Sequence, residues 1–219
     1  RLPKHENILM KILIVPTIRE IYKDQFEYCT DLRLVNLFEK TFVNSKIEIY
    51  NGEIKNNYDL VVISGGNNLN IQVKKDKIRN QIDNKIYNFA IKNNIKILGI
   101  CHGAQFLARK FKFKIERRKN HIGNHEVLFN FCEVKFKKIV NSFHNDTIKI
   151  KKSKLVNILA IAQDKTVEAF HIRKKKILGI MWHPERYKKI KNFDQILLKK
   201  FYATNSTISW KRLQASKKI

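Results

Sequence analysis

"IKILGICHGAQFLARKF", Ile95 to Phe111, joins an apolar run of strand length to a segment of helical composition through Gly99-Ile100-Cys101-His102-Gly103. Strand, sharp turn and helix in so few residues form a nucleophile elbow, which lifts one side chain, here Cys101, above the carboxyl end of a sheet. The glycines two positions to either side remove side chains that would collide in a strained turn. The helix that follows points its N-terminus at the sulfur, which predicts that the thiolate is favoured.

Outward from this stretch the pattern alternates. "KILIV" (11 to 15), "KIEIY" (46 to 50) and "DLVVI" (59 to 63) read as strands, and Leu34, Val35, Phe38 and Phe42 recur at helical spacing. Ile78, Ile82, Ile86, Phe89 and Ala90 form the stripe of a long amphipathic helix leading into Ile95. This predicts an α/β fold: an open, mostly parallel sheet flanked by helices. Beyond residue 112 the grammar changes to short strands, "HEVLFN", "CEVKF", "NILAIA", "TVEAFHI" and "KKILGIMW", closed by a helix with the stripe Phe193, Ile196, Leu197 and Phe201. An antiparallel extension of the sheet is therefore expected. Residues 10–203 read as one domain, with 1–9 an extension before a fresh start at Met10 and 204–219 a basic tail.

The chain has 219 residues, 43% of them hydrophobic, enough for one core, and a net charge of +26. The lysines are spread along the chain rather than gathered in a stripe, and no nucleic-acid motif accompanies them, so nucleic acid is not the expected partner. Cys29, Cys101 and Cys132 are too few and too far apart for a disulfide framework or a Cys-x-x-Cys metal knuckle. With no apolar run of ~18 residues and no leader pattern, the protein is expected in the cytoplasm, without a membrane span.

A cysteine nucleophile needs a base and a group that orients the base. "KKILGIMWHPER" (175 to 186) delivers His183 to a strand end, and Glu185, past the turn at Pro184, is in reach of the imidazole. "VVISGGNN" (61 to 68) ends a strand in Gly65-Gly66, whose unobstructed N–H groups suit an oxyanion hole, with the N–H of His102 as a second donor. His121, His125, His144 and His171 show no recognised ligand spacing, so no metal and no organic cofactor is expected.

"GICHGAQ", "SGG" and "WHPER", in this order, resemble the class I glutamine amidotransferase superfamily, whose fold is flavodoxin-like and whose members cleave γ-glutamyl amides with a Cys-His-Glu triad. The resemblance implies Cys101 as nucleophile, His183 as general base and acid, Glu185 as its orienter, and Gly66 and His102 as backbone oxyanion donors. It also implies that Gln105, beside Gly65, lines the glutamyl pocket. "VNSFHN", with Asn141, Ser142, Phe143 and His144, is similar to the segment whose backbone receives the substrate's α-amino and α-carboxylate groups.

"VNSFHN", "TVEAFHI" and "GIMWHPER" together are similar to the stand-alone γ-glutamyl hydrolases, a branch that includes enzymes of capsule phosphoramidate synthesis acting on γ-glutamyl-CDP-amidate. Asn68 and Asp146 depart from that pattern. The implied substrate is a small γ-glutamyl compound, phosphorylated or nucleotide-linked. The segment "REIYKDQFEYCTDLR" (19 to 33) follows the first strand and offers Arg19, Lys23 and Arg33 with Tyr22, Phe26 and Tyr28 for phosphate pairing and base stacking. A glutaminase subunit serving a synthetase partner is the second reading. A non-catalytic basic binding protein is a third, against which the intact triad argues.

Overall fold

A computed structural model describes residues 9–55, 57–118, 121–131, 134–150, 154–172 and 174–203. The basic tail 204–219, Cys132 and all but Leu9 of the N-terminal extension lie outside the described residues.

Five strands run parallel: β1 (Met10–Val15), β4 (Ser45–Ile49), β5 (Leu60–Ile63), β6 (Lys96–Ile100) and β13 (Ile177–Ile180), in the order β4-β1-β5-β6-β13. Helices α1 (Leu32–Thr41), α2 (Lys74–Lys92) and α3 (His102–Lys110) make the crossovers, and α4 (Asn192–Ala203) follows the last strand. Strands covered on both faces must be apolar throughout, and all four residues of both β5 and β13 are buried. The core divides accordingly. Ile12, Ile14 and Leu98 face Phe38, Trp182 and Phe201 on one side of the sheet, while Leu13, Val61 and Ile97 face Ile82, Ile86 and Phe106 on the other.

The expected extension is present. After β7 (Lys114–Arg117) come β8 (Ile122–Phe131), β9 (Val134–Phe143), β10 (Asp146–Lys149), β11 (Val156–Ala162) and β12 (Val167–Ile172). Beyond β13 the sheet continues antiparallel as β12-β11-β8-β9, with β10 pairing both β12 and β7.

The segment between β1 and α1 was not legible as structure. It forms a separate hairpin, β2 (Thr17–Tyr22) and β3 (Gln25–Cys29), paired from Thr17↔Cys29 to Tyr22↔Gln25. Its outer residues are solvated on both faces, so no alternation of apolar and polar residues marks it. Asn67 anchors the hairpin to the end of β5: its Oδ1 accepts from the Ile18 N–H (2.8 Å) and its amide donates to the Ile18 carbonyl (3.0 Å).

Strand order reverses between β1 and β5, and in open α/β sheets a crevice opens at such a point beyond the carboxyl strand ends. The hairpin forms one wall of that crevice and Ser64 to Asn68 the other.

Candidate active site

Cys101 sits between β6 and α3 at φ 50°, ψ −102°, a backbone conformation that L residues avoid. Its neighbours hold it there. A Cβ on Gly103 would lie 2.0 Å from the Ile63 carbonyl oxygen, and one on Gly99 would lie 2.5 Å from the Gly103 carbonyl carbon, so the elbow closes only with glycine at both positions. The Cys101 N–H continues the ladder to the Ile180 carbonyl (2.8 Å), which locks the elbow to β13.

β13 carries His183 to the same edge. Its Nδ1 is 2.6 Å from Glu185 Oε1, within the single 3-10 turn Pro184–Arg186, and this leaves Nε2 available for proton transfer. A carbon placed on Gly65 would touch both His183 Cε1 (2.6 Å) and Cys101 Cβ (3.5 Å), so the three motifs of the sequence meet at one point.

The thiolate expectation needs correction. Burial pushes the Cys101 thiol up to about 12 and Glu185 pushes the same way, against Arg186 and the His102 N–H at the sulfur. Desolvation of a buried anion outweighs the field of one short helix. Burial thus favours the thiol form of Cys101. Alkylation of Cys101 by iodoacetamide should keep rising between about pH 7 and 10, with no plateau near neutrality; a plateau there would show a preformed thiolate.

Two groups of buried polar residues brace these side chains: Asn141, expected from the sequence as a substrate-binding residue, and Arg79 with Asp83, which the sequence did not single out. Asn141 holds the His183 backbone on both sides, Oδ1 accepting from its N–H and the amide donating to its carbonyl, each at 2.8 Å. Below the elbow, Asp83 joins Arg79 Nε (2.8 Å) to His102 Nε2 (2.7 Å), and Arg79 donates onward to the carbonyls of Pro16 (2.6 Å) and Ser64 (2.9 Å). Burial raises the Asp83 carboxyl, but Arg79 and His102 outweigh it and hold it below its ordinary value. This ties α2, both walls of the crevice and the residue after the nucleophile into one unit. The i,i+4 spacing of Arg79 and Asp83 was the only signal, and beside an apolar stripe it reads as an ordinary surface pair.

Two hollows flank the triad. A small one of ≈ 120 Å³ is lined by Cys101, Gln105, Phe143, His144 and Gly66, with Arg117 at its rim. Gln105 donates to the Asp146 carbonyl (2.8 Å), which fixes its side chain there. The larger is the switch-point crevice, ≈ 770 Å³, lined by Gly65, His183 and Glu185 on one side and by Arg19, Tyr28, Lys75 and Arg186 on others.

The sequence-predicted residues distribute unequally between them. Arg19 is in the crevice. Arg33 is not: it pairs with Asp31 (2.7 Å) and borders a neighbouring hollow with Lys40 and Lys188. Asn141 and Ser142 are buried and face inward, the Ser142 hydroxyl donating to the His121 carbonyl. The Phe143 and His183 rings meet edge-to-face, centroids 5.6 Å apart. Three of the four histidines that showed no recognised ligand spacing in the sequence lie within 3.8 Å of Glu168.

Comparison with known proteins bears on family and fold. The sequence profile of the class-I glutamine amidotransferases matches residues 22–204. A γ-glutamyl-CDP-amidate hydrolase from Campylobacter jejuni is 39% identical over 145 residues, 65% of this chain and 69% of that protein. A glutamine-hydrolysing GMP synthase from Chlamydia caviae is 30% identical over 134 residues, 57% of this chain but 24% of the synthase. Among solved structures, a glutamine amidotransferase from Thermotoga maritima superposes with a TM-score of 0.63 at 18% identity, covering 88% of this chain and 82% of its own, a likeness of fold. No helix among the described residues is long and apolar enough to cross a membrane. With the profile covering most of its length, the chain belongs to the class I glutamine amidotransferase family.

Proposed function

We propose that this enzyme hydrolyses a γ-glutamyl amide with a large phosphorylated leaving group, through a γ-glutamyl thioester on Cys101. The observation that carries the reading is the inequality of the two hollows. The ≈ 120 Å³ hollow beside Cys101 suits the glutamyl half, with Gln105 along it and Arg117 placed to pair with the α-carboxylate. The ≈ 770 Å³ crevice on the other side of His183 is far larger than ammonia requires and lies in the range of sites for ligands of nucleotide size. Arg19, Lys75 and Arg186 offer positive charge to phosphates, and the Tyr28 ring is exposed for stacking against a base. The C. jejuni relative is named for a substrate of this kind, γ-glutamyl-CDP-amidate. Following the sequence resemblance, we assign the reaction to surface-polysaccharide synthesis.

In the proposed chemistry, His183 Nε2 takes the Cys101 proton as sulfur attacks the γ-carbonyl, and Glu185 stabilises the imidazolium that forms. Backbone N–H groups of Gly66 and His102 receive the oxyanion. His183 then returns the proton to the departing nitrogen, the C–N bond breaks, and water activated by His183 hydrolyses the thioester to glutamate and free enzyme.

Glutamate release compared between γ-glutamyl-CDP-amidate and glutamine tests the reading. The nucleotide substrate should have a kcat/KM at least about 10²-fold higher, with an advantage that shrinks as salt rises. Arg19→Ala should raise KM for the nucleotide substrate about 10-fold and leave glutamine hydrolysis unchanged. Equal kcat/KM values would move the assignment to an ammonia-supplying glutaminase with a synthetase partner, the reading that the similarity to GMP synthase supports.

A further inference from the structure

A glutamate inside a strand buried at every position is an anomaly, and β12, "VEAFHI", contains one. Glu168 is 0% exposed, and neither of its carboxylate oxygens has a hydrogen-bond partner among the described residues. A buried carboxylate left in that condition costs several kcal/mol unless a cation compensates it.

Three imidazole nitrogens surround one of its oxygens. His121 Nδ1 and His125 Nε2 are each 3.5 Å from Glu168 Oε1, and His144 Nε2 is 3.8 Å from it. These separations are long for hydrogen bonds, and all three nitrogens are buried without a hydrogen-bond partner. The donor atoms of His121, His125 and Glu168 all lie within 4.8 Å of one another, close enough to share one ion with a small inward shift from the roughly 3.3–3.4 Å donor spacing of a tetrahedral site; His144 Nε2 stands outside this trio.

The backbone is shaped for this convergence. Residues 121 and 125 of a regular strand share a face but lie about 13 Å apart. Here their rings are 5.3 Å apart, with Gly123, at φ +105°, between them. The outer nitrogen of His121, Nε2, is held by Asp164 Oδ2 at 3.1 Å, which fixes the tautomer with the Nδ1 lone pair turned to the cluster. His125 is the one imidazole of the three with substantial exposure, 20% of its side chain, and gives the route from solvent. His171 stands apart, its ring 6.2 Å from Phe201.

We propose that His121 Nδ1, His125 Nε2 and Glu168 Oε1 bind one divalent cation of the zinc type. Three protein donors leave the fourth position of a tetrahedron to water. The ion would fasten the start of β8 to β12. His144, whose Nε2 is 3.8 Å from Glu168 Oε1, also lines the small hollow beside Cys101, so the ion would lie directly behind one wall of the proposed glutamyl pocket. The inference does not depend on the identity of the substrate.

The test uses the full chain after dialysis against a chelator. Cobalt(II) should bind at one equivalent per chain, give the visible d–d bands of a tetrahedral nitrogen–oxygen site, be displaced by zinc, and raise Tm. His125→Ala, at the most exposed ligand, and the isosteric Glu168→Gln should each weaken binding at least about 10²-fold, with His171→Ala unchanged. A folded wild type without the tetrahedral spectrum overturns the proposal. So does a sulfur-to-cobalt charge-transfer band, or a spectrum that survives His125→Ala.

Discussion

Cys101→Ala abolishes glutamate release from every γ-glutamyl substrate, an expected loss of at least about 10⁴-fold in kcat, in a protein that keeps its fold. Alanine retains the Cβ that the elbow already accommodates, and only a buried sulfur that lines a small hollow is removed. Circular dichroism and thermal unfolding should therefore stay near wild type. A glutamine-mimicking electrophile should label Cys101 and spare both Cys29, which is free and half-buried, and Cys132. Retained turnover in the alanine variant, or labelling of another cysteine, would remove Cys101 from the chemistry.

His183→Asn should be as damaging, because the proposed chemistry moves the sulfur's proton through this imidazole. Glu185→Gln should lower kcat by about 10²-fold, less than His183→Asn. Glutamine can still turn an oxygen to His183 Nδ1 and keep the 2.6 Å hydrogen bond, but it no longer offsets the imidazolium charge. A fall in Tm as severe as the fall in rate would make Glu185 a structural residue.

The sequence carried the parallel half of the fold because each of its elements is periodic on its own: β5 and β6 are continuous apolar runs, and α2 repeats isoleucine at intervals of four. That Cys101, His183 and Glu185 meet at one sheet edge was legible for a similar reason, since the elbow and "WHPER" are local patterns whose geometry follows from a few neighbouring residues. The hairpin was hidden because β2 and β3 bury almost nothing, and its anchor, Asn67, lies 49 residues from Ile18. In the same way, Asn141 meets His183 across 42 residues and Asp83 meets His102 across 19. Glu168 was not singled out, because the three imidazoles near it come from residues 24 to 47 positions earlier in the chain. Arg33 shows the converse failure. Proximity in sequence to Arg19 suggested a shared phosphate site, but α1 turns Arg33 to Asp31 and a different hollow.

The claim beneath all of this is that the γ-glutamyl group passes through the Cys101 sulfur. Rapid acid quench of the enzyme during turnover of a γ-glutamyl amide, followed by mass spectrometry of its peptides, observes that intermediate directly. A gain of one glutamyl group on the peptide containing Cys101, labile to hydroxylamine and absent from Cys101→Ala, is the predicted result. Full turnover with no acylated peptide under conditions where deacylation limits the rate, or acylation of any other residue, would contradict it.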